Sequence, residues 1–185
     1  MTTTFPRARR SSLGYDVSQV EAFLALARNA YDDEATAHNR LSSSDIRQAS
    51  FAMQKGGFSC RHVDAALERL ELAFARRERN RAIVTSGTQA WVEAGQARLE
   101  VLLARFERPA KHRFNRVSLL SRGYSMLDVD AFADKASAAL VEGKPFAVDQ
   151  VRAAIFRPKF RGYNETQVDL VLDGLVDVLI AVDTD

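Results

Sequence analysis

Apolar positions along this chain fall at helical spacing after each of several recurring junctions. Val63, Leu67, Leu70 and Phe74 follow an i, i+4, i+7, i+11 pattern, and Val168, Leu172, Leu175 and Leu179 repeat it. Val20, Phe23, Leu24 and Ala27 form a shorter stripe of the same kind. Each stripe predicts an amphipathic helix with one face in a core. The middle of the chain is less regular. Arg76, Arg77, Arg79 and Arg81 interrupt the stripe, and Ile83, Val84, Trp91, Leu99, Leu102, Leu103 and Phe106 resume it. Thr85-Ser86-Gly87 offers a break, with Ser86 and Gln89 spaced for a capping box, so one bent helix and two shorter ones both fit. Pro109 ends the segment in either case.

The junctions are copies of one eight-residue pattern, Gly-aromatic-polar-x-x-x-Val-acid. They are Gly14-Tyr15-Asp16 with Val20-Glu21, Gly57-Phe58-Ser59 with Val63-Asp64, Gly123-Tyr124-Ser125 with Val129-Asp130, and Gly162-Tyr163-Asn164 with Val168-Asp169. The copies alternate between two types. In the first and third, Phe5 or Phe114 lies nine residues before the glycine, and Ala22-Phe23 or Ala131-Phe132 follows the acid. In the second and fourth, Phe51 or Phe156 lies six residues before it, after Ile46-Arg47-Gln48-Ala49 or Val151-Arg152-Ala153-Ala154. The chain therefore reads as a duplicated pair, with offsets of 109 and 105 residues for the two types. We expect an all-α fold: a first repeat pair over 1–75, a helical connector over 76–108 and a second repeat pair over 109–185.

The pattern has a structural explanation that needs no ligand. Asp16, Ser59, Ser125 and Asn164 are good N-caps, whose side-chain oxygens accept from the unpaired N–H groups of the first helical turn. Gln19 and Gln167 stand at the third helical position, spaced to close capping boxes with Asp16 and Asn164. Each aromatic before a cap and each valine after it mark the ends of a hydrophobic staple: Tyr15–Val20, Phe58–Val63, Tyr124–Val129 and Tyr163–Val168. The preceding glycine is expected to take a backbone conformation closed to other residues.

Composition adds exclusions rather than a chemistry. The chain has 185 residues, a net charge of +2, one cysteine and three histidines. A single Cys60 forbids an internal disulfide framework and any multi-cysteine metal site. His38, His62 and His112 share no ligand spacing, and no phosphate loop, nucleophile elbow or dinucleotide fingerprint is present. Asp169, Asp173 and Asp177 share a helix face, where a solvated face is a better reading than a cation site. We expect no catalytic, cofactor-binding or metal-ligating residues, and no cofactor. No signal-length apolar stretch opens the chain, and Asp173 and Asp177 break its most apolar run, Leu170 to Val182. The sequence reads as cytoplasmic. A nucleic-acid-associated helical protein is the alternative function, resting on Arg76 to Arg81 and the basic run Lys111, Arg113, Arg116.

The segment Val151-Arg152-Ala153-Ala154-Ile155-Phe156-Arg157-Pro158-Lys159-Phe160-Arg161-Gly162-Tyr163, followed by Val168-Asp169, resembles the N-terminal domain of DivIVA-type proteins. Asp45-Ile46-Arg47 through Phe51, Gly57 and Val63-Asp64 looks like a second copy, and the first and third copies match the Gly-Tyr…Val-acid-x-Phe half. The resemblance covers most of the chain outside 76–108. It implies a scaffold of bacterial cell division or polar growth, with protein partners in that machinery and, from the tandem arrangement and Arg/Ala-rich composition, an actinobacterial source. It also implies that a Phe-Arg pair before Gly-Tyr enters the lipid surface. Only the fourth copy has one, Phe160-Arg161, with Arg157 and Lys159 beside it; the other copies carry Ser12-Leu13, Lys55-Gly56 and Ser121-Arg122. Such a loop is a weak anchor for anionic lipid, and packing of Phe160 inside its own domain is the competing expectation. The family's long coiled coil has no counterpart, since no heptad pattern runs beyond three or four turns. In the family two chains interlock these loops; two motifs per half imply that one chain here satisfies that pairing by itself.

Overall fold

The computed structural model describes residues 5–9, 11–32 and 41–182. Helices dominate it, but it is not purely α: the described residues form seven helices and two two-stranded antiparallel sheets. Two compact units divide the chain, Met1–Arg81 and Ala82–Asp185.

In the first unit, strand β1 (Leu13–Tyr15) leads into helix α1 (Val17–Asp32). A five-residue helix α2 (Ser43–Arg47) and strand β2 (Met53–Lys55) follow, then the long helix α3 (Cys60–Ser86), whose residues after Arg81 fall in the second unit. The second unit contains helix α4 (Thr88–Phe106), then β3 (Arg122–Tyr124) and α5 (Met126–Val141). Short helix α6 (Val148–Arg152), strand β4 (Pro158–Phe160) and helix α7 (Glu165–Val182) complete it. All four long motif helices begin one residue after the expected cap. The Ile/Val-Arg-x-Ala runs begin in the last two residues of the short helices, and each short helix buries one apolar residue, Ile46 or Val151.

The expected helical connector over 76–108 is occupied by the end of α3 and by α4. Residues 76–86 are the end of α3, and α4 packs on α5 and α7 inside the second unit. Two helices, not one, span the region. Gly87, with φ of +87°, separates them from a conformation that other residues adopt only under strain. It makes no side-chain cap, and Gln89 donates instead to Glu93 at 2.9 Å, so the Ser86–Gln89 box does not form.

Both units repeat one set of strand pairings. Gly14 faces Gln54 and Gly123 faces Lys159; Tyr15 faces Met53 and Tyr124 faces Pro158. These partners stand 109 and 105 residues apart along the chain, the same offsets as the motifs. Above them sit two cores of matching composition by position. Phe5, Val20, Phe58 and Val63 are buried together with Tyr15 and Phe51 against them. Phe114, Val129, Tyr163 and Val168 are buried together with Tyr124 and Phe156 against them. The staple valines thus do meet the aromatic rings, each burial contributing roughly 1.5–3 kcal/mol.

Candidate functional site

The two junctions of each unit hydrogen-bond to one another reciprocally. Tyr15 N–H donates to the Phe58 carbonyl at 2.9 Å, and Phe58 N–H donates back to Tyr15 at 2.8 Å. Tyr124 and Tyr163 do the same at 3.0 and 2.8 Å. Each cap residue's N–H then reaches the residue after the partner motif's phenylalanine: Asp16 to Ala52, Ser59 to Pro6, Ser125 to Arg157 and Asn164 to Asn115, all at 2.8 Å. Two chain segments are clasped about a local two-fold.

That clasp corrects two expectations. None of the four motif glycines has a positive φ. Each is needed for close approach instead. A Cβ at Gly14, Gly57, Gly123 or Gly162 would lie under 3.0 Å from the carbonyl oxygen of the opposite aromatic, Phe58, Tyr15, Tyr163 and Tyr124 respectively. Nor do the glutamines close capping boxes. Asp16 and Asn164 do cap, accepting from Gln19 N–H at 2.9 Å and Gln167 N–H at 3.0 Å. The glutamine side chains, however, accept from Ala52 N–H (2.8 Å) and Asn115 N–H (3.1 Å), tying the helix start to the other segment. Ser125 makes no side-chain cap, and the Ser59 hydroxyl lies 2.9 Å from His62 Nδ1.

The acid that closes the second, third and fourth motifs has a tyrosine partner across the clasp. The Asp64 carboxylate neighbours the Tyr15 hydroxyl and that of Asp169 neighbours Tyr124, and Tyr163 donates to Asp130 Oδ1 at 2.9 Å. Burial, with these carboxylates adding, pushes the Tyr15 and Tyr163 hydroxyls up to about 12 and raises that of Tyr124. Burial likewise raises Asp169, with Asp173 adding to the shift. Phe58 has no hydroxyl, and the acid opposite it, Glu21, is exposed. Around Tyr163 a buried network develops. Arg113 donates to the Asp130 carbonyl at 2.7 Å and to the Asp134 carboxylate, while Lys111 N–H donates to Asp130 Oδ2 at 2.8 Å. The first unit places its buried pair elsewhere, Arg47 to Glu71 at 2.8 Å.

The residues expected at a membrane run from Arg157, just before β4, through Lys159 and Phe160 in the strand to Arg161 in the turn after it. Gly162 N–H donates to Lys159 at 3.1 Å, closing a turn in which Arg161 holds a φ of +56°. The first unit has Gly56 there, at +68°. An arginine in the left-handed region costs about 1–2 kcal/mol that glycine avoids. Phe160 does not pack inside its domain: it is 56% exposed, with the Arg122 guanidinium 4.8 Å from its ring centroid. Lys159 is exposed beside it. Arg157 is engaged differently, since Nε and Nη2 donate to Asp128 at 2.9 and 2.6 Å. Those hydrogen bonds hold the Asp128 carboxyl well below the usual carboxylate range.

The other sequence candidates do not converge. Arg113 is buried in its network, Arg116 donates to the Lys111 carbonyl at 3.2 Å, and Arg77 donates to the Ala30 carbonyl at 2.9 Å. His112 lies 3.2 Å from the Ala110 carbonyl, Cys60 opens α3 half-buried, and His38 lies outside the described residues. Among the described residues no group of three or more His, Cys, Asp or Glu is placed to hold a metal, and no helix is long and apolar enough to cross a membrane. No family model matches the chain, and neither a characterised protein nor a solved structure is significantly similar to it.

Proposed function

We propose that this chain is a non-enzymatic interaction and scaffold module of bacterial cell division or polar growth, built as a duplicated pair of DivIVA-like motifs. In this reading it is cytoplasmic and peripheral to the inner membrane face at the septum or pole. It takes protein partners from the division or envelope-growth machinery. The observation that carries the reading is the turn Lys159–Gly162. An aromatic ring left half in water, beside Arg122, Lys159 and Arg161, suits the boundary between anionic headgroups and acyl chains. Strain at Arg161, where glycine serves the first unit, favours a role for that side chain beyond folding.

The full chain is expected to co-sediment with anionic vesicles and to lose most of that binding on Phe160→Ala. A fluorescent fusion in the native host is expected at septal or polar foci, and a diffuse or nucleoid signal counts against the assignment. The reciprocal clasps support a second element of the reading, that one chain supplies both halves of a pairing otherwise made between two chains. Light scattering is then expected to give a monomer. An obligate dimer with halves exchanged between chains would contradict it.

A further inference from the structure

We propose that the turn Ser118–Ser121 is a second lipid-inserting element, so that the second unit meets an anionic bilayer through two adjacent turns. This rests on the membrane reading above and deepens it. Ser121 N–H donates to the Ser118 carbonyl at 3.1 Å, and the two serine hydroxyls lie 2.7 Å apart, closing a tight turn. Leu119 and Leu120 form its corners, 65% and 91% exposed. Arg161 N–H donates to the Ser121 carbonyl at 3.2 Å, which ties this turn to the one bearing Phe160. Three large apolar side chains therefore stand on two joined turns.

A lone exposed leucine needs no explanation. Here the first unit provides an internal comparison. It closes the same two turns, with Ser12 N–H donating to Arg9 at 2.8 Å and Gly57 N–H donating to Gln54 at 3.3 Å. In those turns Ser11 stands where the second unit has Leu120, and Lys55-Gly56 stands where it has Phe160-Arg161. The backbone arrangement does not require apolar corners, so their presence in one unit points to something outside the fold.

Charge selects a lipid surface as that partner. The stretches Arg116–Tyr124 and Pro158–Tyr163 carry Arg116, Arg122, Lys159 and Arg161 and no acid, while Arg157 beside them is held by Asp128. Cations beside apolar tips match phosphate headgroups above acyl chains. Two four-residue turns also offer far less than the roughly 800 Å² per partner that a stable protein interface buries.

The test uses the full chain with phosphatidylglycerol-containing vesicles and pure phosphatidylcholine vesicles. Leu119→Ser/Leu120→Ser is compared with Phe160→Ala and wild type, with circular dichroism melts to verify folding. Removing two leucines that the bilayer would cover is expected to weaken partition into the anionic vesicles by at least about 10-fold, without lowering the melting temperature. If the double variant binds like wild type while Phe160→Ala does not, the second turn is not an anchor and the Phe160 reading survives alone. If the double variant binds weakly and Phe160→Ala binds like wild type, the leucine turn stands and the Phe160 contact falls. Wild type that ignores phosphatidylglycerol removes both. Equal binding to phosphatidylcholine overturns the headgroup argument.

Discussion

Gly123→Ala is expected to lower the stability of the second unit by about 3–5 kcal/mol. The new methyl group would sit under 3.0 Å from the Tyr163 carbonyl oxygen, which is backbone and cannot swing aside. Separating the strands to make room breaks the reciprocal bonds between Tyr124 and Tyr163, each worth roughly 0.5–1.5 kcal/mol net, on top of an overpacking cost of about 1–3 kcal/mol. For a domain of this size the melting temperature falls by roughly 15 °C or more. Gly57→Ala is expected to do the same to the first unit, against the Tyr15 carbonyl. Gly95 in α4 is the control, because a Cβ there meets nothing within 4 Å. Gly95→Ala is expected to stabilise by roughly 0.5–1 kcal/mol, since glycine is the poorer helix residue. Thermal melts by circular dichroism decide the matter. A Gly123→Ala protein that melts with wild type would mean that the close approach is not real.

These glycines mark where the sequence could be read and where it could not. The four helix starts were legible because caps and staples are local, lying within five residues of each other. Helix α1 begins after Asp16 and α7 after Asn164 with the cap bonds in place. The strands were illegible for the opposite reason. Each is three residues long, too short to show alternation, and its partner lies some 40 residues further on in the chain. Gln19 and Gln167 had the right spacing for capping boxes, but the free N–H groups of Ala52 and Asn115 compete for the same oxygens and win. Helices α2 and α6, at five residues, carry no periodicity at all.

One further signal lies in the pairing of rings and acids. Every motif tyrosine faces an aspartate across its clasp, and the single motif phenylalanine, Phe58, faces the single glutamate, Glu21. Pairing first copy with second, and third with fourth, would have shown that the acid belongs to the neighbour's ring rather than to its own helix. The membrane turn was readable only by resemblance. Nothing in the order of residues says that Phe160 stays exposed while Phe114 and Phe146 are buried. That depends on what covers the ring in the fold, where the Arg122 guanidinium lies 4.8 Å from the Phe160 centroid.

The second large effect is expected at Asp130, which is 5% exposed and accepts from the Tyr163 hydroxyl and Lys111 N–H. Asp130→Ala strands both donors and leaves the buried Arg113 guanidinium without its nearest enclosed carboxylate, 3.8 Å away. Removing one member of a buried pair typically costs about 3–5 kcal/mol, because the remaining charge keeps its desolvation penalty. Asp134 also bonds to Arg113, but its side chain is 66% exposed. Asp134→Ala is therefore expected to cost no more than about 1 kcal/mol. Urea titrations of both variants separate the two roles, and equal midpoints would refute the claim that burial sets the difference. Replacing the whole group, Asp130→Leu with Arg113→Met and Tyr163→Phe, is expected to recover most of the loss, since apolar side chains of similar size carry no desolvation penalty. The same physics disfavours an exchange of motifs between units. Pairing the third motif with the second would set Asp130 against Phe58, a ring with no hydroxyl to offer it.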